Sequence, residues 1–177
     1  MNGIIIYQGK YGATEQYAKW LAESLDLPKL KATDAASPVL TKQDFIILGS
    51  SIYIGKLVLQ RWLKQNSSLL AGKKIFLFVV CGTTAEDSIQ QQAVIKNNVE
   101  EELAKNCEFF FLPGRVIVSR LTWKDRFMLK IGAMLEKDPK KKAVMNKGFD
   151  GMDQKHLSSL MKSIQSFLKP ALIPLTN

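Results

Sequence analysis

The sequence predicts an α/β fold, a doubly wound five-stranded parallel sheet with helices on both faces and a basic helical insertion after the fifth strand. Three observations predict it. Short apolar runs alternate with helical patterns along the 177 residues. The longest of those runs are continuously apolar, as strands covered on both faces are. One stretch late in the chain carries most of the net charge.

The strands come first. Ile4–Tyr7, Phe45–Leu48, Ile75–Val80 and Phe109–Leu112 are rich in Ile, Val, Leu and Phe and read as central parallel strands. Lys29–Ala32 alternates polar with apolar and reads as an edge strand. Between them, 14–25 places Tyr17, Ala18, Leu21, Ala22 and Leu25 on one helical face, and 57–70 and 87–105 fill the next gaps as helices. Leu157, Leu160, Met161, Ile164, Phe167 and Leu168 form the stripe of a final helix. Such alternation implies right-handed crossovers, with ligands at the carboxyl ends of the strands where the strand order switches. About forty residues separate Leu112 from the last helix, where connections in these units usually run ~2–6 residues. The excess, roughly 115–150, is an insertion within a single domain spanning 1–177.

Composition narrows the class. Hydrophobic residues make up 46% and charged residues 23%, which excludes a disordered chain. The run Ile75–Cys81 is far short of the ~20 residues that span a bilayer. The chain enters its first strand at Ile4 with no basic and apolar leader, so a cytoplasmic protein is expected. Cys81 and Cys107 lack the spacing of a redox pair or zinc half-site and read as small buried hydrophobes. With His156 the single histidine, a surface residue in a first helical turn, no metal site is expected. The net charge of +9 favours anionic partners. Ten Lys or Arg against three acidic residues fall between Arg115 and Lys147, and this confinement, with no nucleic-acid motif, argues against nucleic-acid binding.

Three loops follow strands. The first, Gln8-Gly9-Lys10-Tyr11-Gly12-Ala13-Thr14, turns on two glycines and opens a helix at Thr14. Backbone N–H groups converging on a helix N-terminus suit a phosphate. The loop lacks the Gly-Lys-Ser/Thr ending of a Walker loop and the Gly-x-Gly-x-x-Gly fingerprint, so structural and phosphate-binding readings stand level on its residues alone. The second, Ser50-Ser51-Ile52-Tyr53-Ile54-Gly55, follows the third strand. The third, Gly82–Asp87, follows the fourth.

Ile5, Ile6, Tyr7, Gly12, Thr14, Ala18 and Leu21 fall in register with the phosphate-loop signature of the flavodoxin family, which this sequence resembles. The resemblance implies a flavodoxin-like fold that binds FMN, with the phosphate held at Gln8–Thr14. Gly9 stands where the family usually has Ser or Thr, which removes one hydroxyl and implies weaker binding by about 1 kcal/mol. Gly49–Gly55 and Trp123–Lys130 also look like the corresponding stretches of the bacterial quinone-dependent protoporphyrinogen dehydrogenases, flavodoxin-like proteins with a long insertion after the fifth strand. That likeness implies an FMN-dependent oxidoreductase of haem biosynthesis acting on an anionic porphyrinogen, with a quinone acceptor. It further implies that Ser50, Ser51, Ile52, Tyr53 and Gly55 flank one side of the flavin ring and Cys81, Gly82, Thr83 and Thr84 the other. For Tyr53, ring stacking and packing under the following helix remain level alternatives. No catalytic acid or base stands out.

In the insertion, Thr122 is an N-cap with Asp125 three residues on, and Trp123, Phe127, Ile131, Met134 and Leu135 share one helical arc with Arg126 and Lys130 beside it. Two readings stay open. The apolar arc packs on the domain, with Lys140-Lys141-Lys142 a solvated turn, or Arg120, Trp123, Arg126, Phe127 and Lys130 meet a substrate or a membrane surface. The alternatives for the whole protein are a flavodoxin-type electron-transfer protein without its own substrate and a domain whose FMN binding is weak or lost. A pI near 9.5 sits poorly with the acidic character of typical flavodoxins.

Overall fold

Along each core strand, successive side chains point to opposite faces of the sheet, and here both faces are buried. The computed structural model describes residues 1–82 and 87–169. β1 (Gly3–Gln8) leads through α1 (Ala13–Leu25) to β2 (Lys29–Lys31), and α2 (Ser37–Thr41) precedes β3 (Phe45–Tyr53), which turns back into β4 (Lys56–Leu57). α3 (Gln60–Gln65) and α4 (Ser67–Leu70) lead to β5 (Lys74–Cys81). α5 (Ser88–Asn98) and α6 (Glu101–Ala104) lead to β6 (Cys107–Pro113). Then come β7 (Arg115–Val116), α7 (Trp123–Leu135), α8 (Pro139–Lys147), β8 (Phe149–Asp150) and α9 (Ser158–Leu168).

The strand order is β2-β1-β3-β5-β6, all parallel, with β4 paired antiparallel to the end of β3. Ile5, Ile47, Phe76 and Phe78 face α1 and α9, where they meet Tyr17, Leu21, Leu160 and Ile164. Ile4, Ile6, Ile46, Leu48, Ile75 and Leu77 face the other layer and meet Leu59, Trp62, Leu63, Leu70 and Leu103. The chain leaves the sheet at β7 and returns at β8, which pair antiparallel, so the insertion hangs from a two-stranded neck. Gly151 N–H donates to the Gly114 carbonyl at 3.0 Å, closing that neck.

Several elements differ from expectation for local reasons. Phe109–Leu112 lies in β6, an edge strand rather than a central one, and reads as central because Phe109, Phe110 and Phe111 pack on both core layers. The expected helix 57–70 begins as β4 and breaks at Asn66, whose side-chain amide donates to the Trp62 carbonyl at 2.9 Å and competes with the helical ladder. The expected helix 87–105 is interrupted at Val99, which is extended and buries its side chain in the core. The stretch 140–142 is helical, not a turn, because Pro139 fits a first helical turn and starts α8.

The end of β3 is held from behind. Ser50 Oγ accepts from Leu59 N–H at 3.1 Å, and Asn98 Oδ1 accepts from Leu57 N–H at 2.8 Å. Between them the turn forces Ile54 to a φ of 49°, where a β-branched residue is strained. Replacing exposed Ile54 by Asn, which tolerates that conformation, is expected to stabilise the protein by about 1 kcal/mol and raise Tm by about 2–4 °C in a thermal melt.

Candidate functional site

The carboxyl ends of β1, β3 and β5 meet where strand order switches between β1 and β3, and a cleft of about 110 Å³ opens there. The first loop contributes Lys10, Tyr11, Ala13 and Thr14; the end of β3 contributes Ser51, Ile52 and Tyr53; β5 contributes Val80, Cys81 and Gly82. Gly114, Arg115, Val116 and Phe149 close it from the neck of the insertion.

Local sequence explains the first loop. Gly12 caps α1 in the left-handed conformation, φ 86°, and brings no side chain across the helix N-terminus. The N–H groups of that first turn are left without intrahelical partners. Gly9 is set by close approach, since a Cβ there would stand 2.5 Å from Thr14 Oγ1. The Thr14 side chain occupies the space a residue-9 side chain would need.

Thr14 Oγ1 and Ser51 Oγ are buried and have no hydrogen-bond partner among the described residues. A buried orphan hydroxyl costs about 1–3 kcal/mol. Two of them on adjacent walls of one cleft, beside an uncapped helix N-terminus, fit a ligand with several acceptor oxygens.

The outer wall is electrostatic. Asp125, from α7, is 8% exposed and turns its carboxylate onto both cleft loops. It accepts from Tyr53 Oη at 2.6 Å and from Tyr11 Oη, and pairs with Lys10 Nζ at 2.7 Å. The bonds from Lys10, Tyr11 and Tyr53 hold its carboxyl well below the usual carboxylate range. Burial works against the charge on Lys10, but Asp125 and Tyr53 outweigh it and raise its pKa. Lys10 Nζ also stands 3.6 Å from the centre of the Tyr53 ring.

The expected site residues divide. Lys10, Tyr11, Ala13, Thr14, Ser51, Ile52, Tyr53, Cys81 and Gly82 line the cleft. Gln8, Gly9 and Gly12 face a second hollow on the far side of the loop, with Tyr7, Glu15 and Lys31. Ser50 does not reach the cleft, because its hydroxyl is spent on Leu59 N–H and the Ser51 carbonyl. Gly55 lies in the turn beyond Tyr53, and its carbonyl accepts from Asn98. Tyr53 does not pack under the following helix; it stands at the cleft mouth. Thr83 and Thr84 lie outside the described residues. Cys81 lines the cleft as an inert thiol, its pKa pushed up to about 12 by burial.

None of Arg120, Trp123, Arg126, Phe127 and Lys130 lines the cleft. Arg126 donates to the Ser119 and Leu121 carbonyls. The apolar arc of α7 does not pack on the domain: Trp123 is 74% exposed, Phe127 60%, Met134 78% and Leu135 77%. The opposite face, with Asp125 and Ala133, is the buried one. Sequence reasoning missed Arg115, Val116 and Phe149 as cleft residues and Asp125 as the partner of Lys10, Tyr11 and Tyr53 on the cleft loops. Asp125 reads in sequence as a first-turn partner of Thr122, and Thr122 Oγ1 does accept from Asp125 N–H at 3.3 Å, but the carboxylate points elsewhere.

A family model described as flavodoxin domain matches residues 4–143. Among solved structures, oxidised flavodoxin 1 from Bacillus cereus is similar at 19% identity and a TM-score of 0.50, over 75% of this chain and 95% of that one. Flavodoxin 2 from Bacillus cereus gives 22% identity and a TM-score of 0.49 over 64% and 85%. The rubredoxin oxygen:oxidoreductase from Desulfovibrio gigas gives 15% and 0.49 over 73% of this chain and 33% of that one. No curated protein matches.

Because the Asp125 pKa is depressed in the folded state, its contribution to stability is complete above the unfolded carboxylate pKa of about 3.9 and is lost as pH falls through the folded value. Denaturant melts of wild type should therefore lose stability below about pH 4. Asp125→Asn should cost about 2 kcal/mol at neutral pH and show less of that acid-side loss.

Proposed function

As the chain belongs to the flavodoxin-domain family, we propose that its cleft holds FMN and that the protein is an FMN-dependent oxidoreductase. The observation that carries the reading is the pair of buried hydroxyls, Thr14 Oγ1 and Ser51 Oγ, that have no partner among the described residues and stand beside the uncapped start of α1. Thr14, Ser51 and the first-turn N–H groups would hold the phosphate, while Tyr53 and Gly82 would flank the ring. FMN, when bound, supplies the redox chemistry. Lys10 stays cationic beside the site through Asp125, and the neck residues Val116 and Phe149 add apolar surface to the wall of the cleft.

In its finer form the reading is a protoporphyrinogen dehydrogenase-like activity: each pair of hydrogens leaving the porphyrinogen appears on one quinone as the quinol. Its support is the sequence likeness at Gly49–Gly55 and Trp123–Lys130 together with the positive insertion, whose Lys124, Arg126, Lys130, Lys137, Lys142 and Lys147 are all exposed. Asp125 is already paired with Lys10, so little acidity offsets that surface. The exposed apolar arc of α7, bordered by Arg126 and Lys130, has the character of a helix lying in a lipid interface, where a quinone is met.

Thr14→Val tests the phosphate contact. It removes a hydroxyl with no partner among the described residues, so flavin-free stability should hold while FMN affinity, read by absorbance titration, falls about tenfold. An unchanged affinity removes Thr14 from the site. Anaerobic mixing of FMN-loaded protein with protoporphyrinogen should bleach the flavin, and a quinone should restore its colour; no bleaching leaves the porphyrinogen reading without basis. Cosedimentation with phosphatidylglycerol vesicles should exceed that with phosphatidylcholine, and the double change of Trp123 and Phe127 to Ser should cut it about tenfold. Equal sedimentation of wild type and double variant would exclude α7 as the contact.

A further inference from the structure

Two cations line the cleft, and the insertion supplies a carboxylate to each. Among the described lining residues Lys10 and Arg115 alone carry a formal charge. Lys10 Nζ pairs with Asp125 of α7 at 2.7 Å, and Arg115 Nη1 stands 3.6 Å from Asp150 of β8, its register partner across the neck. In a chain of net charge +9 the cleft is thus held close to neutral. A hollow of about 310 Å³ beneath α7 and α8 shares Gly82, Val116 and Phe149 with the cleft, and no Lys or Arg is among its described lining residues. The paired cations belong to the cleft side of that wall.

The two pairs are not alike. Asp150 is exposed, so water screens its contact with Arg115. Asp125 is buried, and its carboxylate also accepts from Tyr11 and Tyr53, which fixes Lys10 Nζ at 3.6 Å from the centre of the Tyr53 ring. An aromatic occupant stacked beside Tyr53 therefore has the Lys10 charge within about 10 Å, no farther than the Debye length at roughly 0.1 M salt.

We propose that Asp125 is a positioning residue for the flavin site: from the insertion it holds the Lys10 ammonium against Tyr53 and offsets its charge, and so sets the reduction potential of the bound flavin. The proposal rests on the FMN reading above and adds that the insertion, rather than the sheet, supplies the balancing charge. Two electrons and one proton taken up by the flavin leave its ring one charge more negative. A bare ammonium beside the ring therefore favours the reduced form, and a bare carboxylate the oxidised form. With Lys10 and Asp125 in contact, their opposing fields largely cancel. Because Asp125 sits on α7, a shift of the insertion would withdraw the carboxylate and leave the cation, which couples the docking of the insertion to the potential.

The test is a redox titration of the FMN-loaded full chain with dithionite against a reference dye, followed by flavin absorbance at neutral pH. Asp125→Asn should raise the preference for reduced over oxidised FMN about tenfold, a shift of ~30 mV to higher potential for a two-electron couple. Lys10→Met should lower that preference by a similar factor, and the double variant should return to within about twofold of wild type. The opposite signs distinguish charge balance from a structural role, because a cleft wall that merely loosens admits water in both single variants and moves both potentials the same way. Single shifts of one sign, or none beyond about twofold, overturn the proposal. Should Asp125→Asn fail to fold, Lys10→Arg decides: it keeps the cation and should stay within about twofold of wild type, and a fall equal to that of Lys10→Met overturns the proposal. The parent reading fails separately. A wild-type chain that binds no FMN overturns both, whereas one that binds FMN with a potential indifferent to these changes loses only the role of Asp125.

Discussion

The Asp125 carboxylate ties the insertion to the loops of the sheet. Asp125 is buried on the inner face of α7 and satisfied by Lys10, Tyr11 and Tyr53, which come from the two loops after β1 and at the end of β3. Its burial is tolerable only because three donors converge on it, one of them charged. The same bonds fix the outer wall of the cleft and orient α7. With Asp125 turned inward, the arc of Trp123, Phe127, Met134 and Leu135 lies in the open.

Around that anchor the rest follows from layers. The parallel sheet is covered on both faces, so its strands end together at one edge and their loops converge there. The loop after β1 is shaped by backbone geometry: Gly12 in the left-handed region and Gly9 yielding its space to Thr14. The end of β3 is shaped by polar side chains, Ser50 and Asn98, which hold the backbone at Leu57 and Leu59 and leave Ser51 and Tyr53 to face the cleft. Neighbouring serines thus do opposite work. The alternation of the strand sends the Ser50 hydroxyl into the structure and the Ser51 hydroxyl toward the ligand side.

The two-stranded neck of β7 and β8 lets about thirty residues leave the sheet without disturbing it. Because its strands run beside the cleft, residues far apart in sequence, Val116 and Phe149, become a wall shared by two cavities. A helical hairpin carried on such a neck can have an inner face that lines a cavity and an outer face that meets something else. The distribution of apolar residues on α7 has that form: Leu129 faces inward, and the exposed arc faces away.

Much of this was legible in the amino-acid order. Periodicities of 2 and 3.6 mark the strands and helices through local geometry, so the fold class, the Gln8–Thr14 loop and the amphipathic α7 follow from residues near one another in the chain. Periodicity does not say which strand is an edge, so β6 reads as central, nor where a buried side chain such as Val99 interrupts a helix. The partners of Asp125, the orphaned state of Thr14 and Ser51, and the outward turn of the α7 arc depend on contacts between residues up to 114 positions apart. An amphipathic pattern records that a helix has two faces. Only the tertiary structure decided which face the protein keeps for itself, because that choice depends on a buried carboxylate finding its donors across the fold.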